Sequence, residues 1–209
     1  MPSSLTKSRP FEPGTTGWTA SDLDDPEIER QWFNGRYEIV EGILTKMPPA
    51  YFAGGNAAFN LAFCIKNFLR EQGIRGRFST EVDIVIDELR VARADVVMLT
   101  PADEASQKKA VRRARRGSSI RTRILIPPAL VIESISPGHE SHDKRTKRKW
   151  YSEFGIANYW IVDRFRRSLQ CMVLRKGLYH DDVAGHGDEE LRPSLFPGLV
   201  LSLKEIWES

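Results

Sequence analysis

The stretch that decides the fold is LVIESISPG, residues 130–138. Pro127-Pro128 precedes it, Pro137-Gly138 closes it, and most of the residues between are apolar. An apolar run bounded by turn signals reads as a strand buried in a sheet. Glu133 stands in its middle. A buried carboxylate is costly unless a cation or hydrogen-bond donor compensates it, so the rest of the chain must supply a partner.

A second acid poses the same question. Asp95 opens ADVVML (94–99), a run of β-formers preceded by another strand-like stretch, FSTEVDIVID (78–87). If the strands of Asp95 and Glu133 are neighbours and the acids share a face, two carboxylates converge. Such a pair raises one pKa or demands a cation. Mg²⁺ suits it, because it takes oxygen ligands and keeps waters for a phosphate substrate. Either acid alone reads more simply as a strand cap or an arginine partner; the pair, together with the helix that follows, reverses that preference.

A helix is expected over about 142–154, in SHDKRTKRKWYSEFG (141–155). On it Asp143, Lys147, Trp150, Tyr151 and Phe154 share one face by i, i+3 and i+4 spacing. Lys144, Arg145, Arg148 and Lys149 point largely elsewhere. Lys147 is the lysine of this cluster on the apolar side, and the turn at Pro137-Gly138 lets the helix fold back over the acids. It is the candidate partner of Glu133.

The remaining pattern is mixed α/β. YEIVEGILTKM (37–47) predicts a hairpin around Glu41-Gly42, NAAFNLAFCIKNFLREQG (56–73) the clearest helix, and NYWIVD (158–163) another strand. A second hairpin is expected to turn at Lys176-Gly177, and Ser202 and Glu205 stand at capping-box spacing before a short terminal helix. The order is helix, three strands, helix, strand, with added hairpins at both ends. Residues 1–18 read as a flexible, Pro/Gly-rich lead and 19–209 as one domain. Residues 102–124 form a basic insert poor in core residues.

Composition excludes several classes. At 41% hydrophobic and 28% charged the chain is that of a globular protein, and its net charge of +3 implies no nucleic acid by itself. Two cysteines, Cys64 and Cys171, lack metal-type spacing, which argues against a zinc ribbon and for a reducing, cytoplasmic setting. The lead has no apolar h-region and no stretch is long enough to span a membrane. HESH (139–142) falls one residue short of HExxH, and there is no P-loop. The clustered Lys108, Lys109, Arg112, Arg113, Arg115, Arg116, Arg121 and Arg123 suit a phosphate backbone, or equally a solvated loop; Lys144, Arg145, Arg148 and Lys149 could extend that surface.

These residues resemble a family. YEIVEG, ADVVML, LVIESISPG, the Asp143–Lys147–Tyr151 steps and GIANYWIVD look like a bacterial restriction-endonuclease family with the PD-(D/E)XK nuclease core, from about residue 36 to the C-terminus. The resemblance implies a restriction-endonuclease-like fold and a Mg²⁺-dependent endonuclease acting on DNA, with Mn²⁺ able to substitute. It also implies that Asp95 and Glu133 hold the metal with the main-chain carbonyl of Ser134. The lysine usual two residues after the glutamate is replaced by Ile135, and in this family it is shifted to the following helix, which matches Lys147. Ala94 stands where the family has proline, and Gly54-Gly55-Asn56 where it often has histidine. Glu38, Glu41 and Glu81 remain open as outer ligands. Arg112, Arg113, Arg115, Arg116, Lys144 and Arg148 are the candidate contacts to DNA. A homodimer would suit cutting of both strands. A DNA-binding protein of this fold without cleavage, and a nuclease acting on RNA, are the alternatives.

Overall fold

The computed structural model describes residues 9–47, 52–114, 122–135 and 142–208, without the side chains of residues 52–56 and 142–144. In chain order the elements are α1 (Pro26–Phe33), the hairpin β1 (Tyr37–Val40) and β2 (Ile43–Lys46), α2 (Phe52–Glu71), β3 (Arg77–Asp87), β4 (Arg90–Leu99) and α3 (Pro101–Ala114). Then follow β5 (Leu130–Ser134), a π-helical turn (His142–Lys147), α4 (Arg148–Phe154), β6 (Asn158–Asp163), β7 (Ser168–Arg175), β8 (Leu178–His186), β9 (Glu190–Leu191), β10 (Leu201–Ser202) and α5 (Leu203–Glu208). A mixed, mostly antiparallel sheet runs β2-β1-β4-β5-β6-β7-β8, with β3 also paired to β4. Among the described residues no helix is long and apolar enough to cross a membrane.

Alternation in the central strands buries both faces. Ile132, Trp160 and Val162 lie under α2 and α5, with Leu61, Ile65, Leu203 and Ile206. Val131, Tyr159 and Ile161 lie under α4, with Trp150 and Tyr151. Leu61, Ile65 and Leu69 at four-residue steps give α2 its buried stripe. Both α2 and α4 end at a left-handed glycine, Gly73 (φ +67°) and Gly155 (φ +87°). The next amides, of Ile74 and Ile156, donate back to the carbonyls of Leu69 and Tyr151, a geometry that costs a residue with a Cβ more.

One edge of β4 is divided. β3 pairs along its other edge from Leu99 to Arg90. On the divided edge β5 pairs with Val96–Met98 and β1 with Val91. Between them Arg93 has no strand partner on that edge, and a buried unpaired backbone group is costly. Side chains take the strand's place: the Arg93 N–H donates to Glu38 Oε1 at 3.0 Å and its C=O accepts from Lys147 Nζ at 2.9 Å.

The strand also changes face here. Ala92 and Ala94 lie with the α4 cluster, Val96 and Met98 with the α2 cluster. The switch falls at Asp95, opposite Glu81, whose backbone is left-handed with φ +50°; the register shift of the β3–β4 ladder lies further along, between Val85 and Asp87.

Three expectations change. Residues 102–114 of the basic insert lie in a helix, α3, opened by Thr100 and Asp103, whose side chains reach each other's backbone amides. Arg123 of the same insert is 2% exposed, 3.7 Å from Asp83, so it belongs to the interior rather than to a phosphate-binding surface. Of the N-terminal lead, residues from Arg9 onward pack: Trp18 is buried beside Phe11, and Gly14 N–H donates to Leu44 O.

Asp83 is the acid that organises this region of the interior. It is 3% exposed and accepts from Arg93 at 2.8 Å and from the indole N–H of Trp32 at 2.7 Å. Trp32→Phe keeps an aromatic ring and removes that donor. The expected loss is about 1–3 kcal/mol, the cost of one unmade bond to a buried charge, readable as a lower urea midpoint at unchanged slope.

Candidate active site

Asp95 and Glu133 come from adjacent antiparallel strands, β4 and β5, whose register Val96↔Ile132 and Val97↔Val131 runs toward them. The Ser134 N–H donates to Asp95 Oδ2 at 2.7 Å, fixing the Asp95 carboxylate against the end of β5. Glu133 is 2% exposed. Its Oε1 accepts from the Tyr151 hydroxyl at 2.6 Å and from Lys147 Nζ at 3.1 Å. Burial, reinforced by the charge of Glu133, pushes the Tyr151 phenol well above its ordinary value, so it keeps its proton and donates.

Lys147 is the last residue of the π-helical turn, where the expected α-helix over 142–154 is wound more loosely for its first six residues. The ammonium lies between Glu38 and Glu133, 3.1 Å from each, and also donates to Arg93 O at 2.9 Å. Glu38 is 0% exposed. The sequence offers it only as an outer ligand, yet it belongs with Lys147; its burial depends on β1 meeting β4, a pairing of residues far apart in the chain.

Arg36 lies 3.0 Å from Glu81 Oε1 and 3.6 Å from Asp95 Oδ1. Burial raises the Glu81 pKa, Arg36 opposes that rise, and Asp95 adds to it. Glu81 is therefore near the acids through Arg36, whereas Glu41 accepts from the Trp150 indole at 3.2 Å. The four carboxylates Glu38, Glu81, Asp95 and Glu133 face the two cations Lys147 and Arg36.

The expected basic contacts are dispersed. Arg112 and Arg113 are exposed on α3. Gln107 ties that helix to Arg123 and Leu125, beside Ile124, which bridges to Ile84 on β3. The helix thus attaches beyond β3, on the far side from the divided edge of β4. Arg148 donates to Tyr179 O at 2.9 Å and is half-buried. Arg115, Arg116 and the side chain of Lys144 lie outside the described residues, as does HESH except for the His142 backbone.

Tyr151→Phe tests the Glu133 cradle. It removes a short bond to a charged acceptor, worth about 1.5–3 kcal/mol, while Lys147 remains. Thermal denaturation should detect that loss without unfolding at room temperature.

This arrangement sits on a known fold. The crystal structure of a "putative nuclease belonging to DUF820" from Anabaena variabilis superposes with a TM-score of 0.61 at 16% identity, over 82% of this chain and 89% of that one. No curated protein matches the chain. The fold is that of the restriction-endonuclease-like nucleases. Residues 27–204 match Uma2, "Putative restriction endonuclease", and the chain belongs to that family.

Proposed function

We propose that the protein is a metal-dependent endonuclease that hydrolyses phosphodiester bonds in DNA, with Asp95, Glu133 and Lys147 at its centre. The observation that carries this reading is the Ser134–Asp95 hydrogen bond, which sets one carboxylate against the strand end bearing the other. Among the described residues Glu38 and Glu81 join those acids around Lys147 and Arg36, and a divalent ion would add positive charge to this cluster of carboxylates.

The donor set fits Mg²⁺, with Mn²⁺ able to replace it. Asp95, Glu133 and the Ser134 carbonyl offer hard oxygens, and Mg²⁺ retains waters instead of requiring an all-protein cage. Among the described residues no three His, Cys, Asp or Glu side chains cluster to hold a metal ion, so on this reading main chain and water would have to complete the ligand set. When bound, the ion would lower the pKa of a coordinated water and neutralise a phosphate oxygen.

The protein residues supply position. Tyr151 and Lys147 hold Glu133 in one orientation, and the Ser134 amide holds Asp95. Lys147 contributes a fixed positive charge beside the reacting phosphate, where preorganised charge stabilises the transition state without reorganising. Its donors to Glu38, Glu133 and Arg93 also favour a second reading: a nucleic-acid-binding protein in which the network is structural.

Incubating the wild type with supercoiled plasmid, labelled single-stranded DNA and labelled RNA, in Mg²⁺, Mn²⁺ or EDTA, separates these readings. The endonuclease reading expects plasmid cleavage in either metal and none in EDTA. Binding without cleavage in any metal supports the second reading, and cleavage confined to RNA changes the substrate.

A further inference from the structure

We infer that the turn between β6 and β7, residues 164–167, is a nucleic-acid clamp: Arg166 and Arg167 grip phosphates and Phe165 stacks on a base of the strand entering the site. The inference rests on the proposed nuclease reading and adds where the substrate is held. The turn reads Asp163-Arg164-Phe165-Arg166-Arg167.

Position is the first ground. β5 and β6 are parallel, in register Glu133↔Ile161 and Ser134↔Val162. Residues after Val162 therefore run past the end of β5 that carries Glu133. At about 3.3 Å per residue and about 4.8 Å between strands, the turn begins about 11 Å from Glu133. That is about three nucleotide rises at 3.4 Å per strand. A strand with its scissile phosphate at the acids would pass this turn within a few nucleotides.

Chemistry is the second. Phe165 is 56% exposed at the tip, and the Arg166 and Arg167 side chains are 64% and 46% exposed. Arg166 meets Asp163 at 2.9 Å and Arg167 meets Asp188. The Arg167–Asp188 pair is exposed on both sides, and such pairs contribute little, so that guanidinium can turn to phosphate; Arg166 keeps its bond to Asp163, whose side chain is only 4% exposed, and offers phosphate its outward N–H groups. Arg164 has a different task, since it donates to Trp207 O and fastens α5. An aromatic ring flanked by guanidinium groups is the combination that holds single strands, with stacking tolerant of sequence.

The opposite end of the same strands supplies a control. Arg175 and Lys176 lie at the β7–β8 turn, away from the acids. Anisotropy titrations of labelled duplex and single-stranded DNA in EDTA, at several salt concentrations, would compare wild type, Arg166→Gln/Arg167→Gln, Phe165→Ala and Arg175→Gln/Lys176→Gln. Circular dichroism would verify that each is folded. The clamp predicts that Arg166→Gln/Arg167→Gln flattens the slope of log K against log salt by about 2, since each phosphate that is no longer neutralised removes about 0.9. Phe165→Ala should weaken single-strand binding about 5- to 150-fold, the range of one stacked base, at unchanged slope. The Arg175/Lys176 control should move the slope less. An unchanged slope, or an equal change in the control, overturns the clamp while leaving the nuclease intact. If the wild type binds neither DNA, the nuclease reading falls and the clamp with it.

Discussion

Replacing Lys147 with methionine should lower stability by about 3–5 kcal/mol, the cost of breaking a buried ion pair by removing one partner, and should abolish cleavage. The apolar stem is kept, so packing changes little. The charge is lost, leaving Glu38 at 0% and Glu133 at 2% exposure without their shared cation. The Arg93 carbonyl loses its donor as well. Lys147 stands where a strand would otherwise complete the sheet, so its loss opens the wedge between β1 and β5. Adding Glu38→Gln removes one of the two buried charges that share Lys147 and should recover part of the stability, with no recovery of cleavage. Chemical denaturation of the two single variants and the double variant gives the coupling directly. A Lys147→Met protein as stable as wild type would show that the network does not hold the wedge.

The second large effect separates chemistry from folding. Asp95→Asn is nearly isosteric, and its side-chain oxygen can still accept from the Ser134 N–H that now lies 2.7 Å from Oδ2. Asp95 is 20% exposed in its side chain, so the loss of charge costs the fold little; Arg36 keeps Glu81 as its partner. On the proposed reading, a ligand for the catalytic cation is nonetheless gone. Lewis-acid stabilisation is worth several kcal/mol, and each 1.36 kcal/mol is tenfold in rate. Cleavage should fall by about 10³-fold or more, with the melting temperature nearly unchanged. Calorimetric titration with Mn²⁺ should show weakened binding in the same variant.

The acids and the lysine are legible in the sequence because their cues are local. Glu133 interrupts an apolar run, Asp95 opens one, and Lys147 shares a helical face with Trp150 and Tyr151, both buried as that face requires. Glu38 is not, because nothing in YEIVEG reveals that β1 meets β4 only at Val91 and leaves Arg93 to be satisfied by side chains. Arg93 breaks the apolar pattern, and its partner Asp83 lies across the ladder on β3. Helix α3 lacks a hydrophobic stripe and so reads as an insert. Its other signals are present in Thr100, Pro101 and Asp103 at the start and Arg112 and Arg113 at the end. Trp18 and Phe11 show no periodicity, yet they bury the chain from Arg9 onward against the first hairpin.

The most direct test of a metal-dependent cleavage site at Asp95 and Glu133 is plasmid cleavage in Mg²⁺ by wild type and Asp95→Asn side by side, at protein concentrations where both are folded and both bind DNA. The expected result is nicked or linear product from the wild type, none in EDTA, and none from the variant over the same time. Cleavage by Asp95→Asn at the wild-type rate would contradict it and leave these buried charges a role in the fold alone.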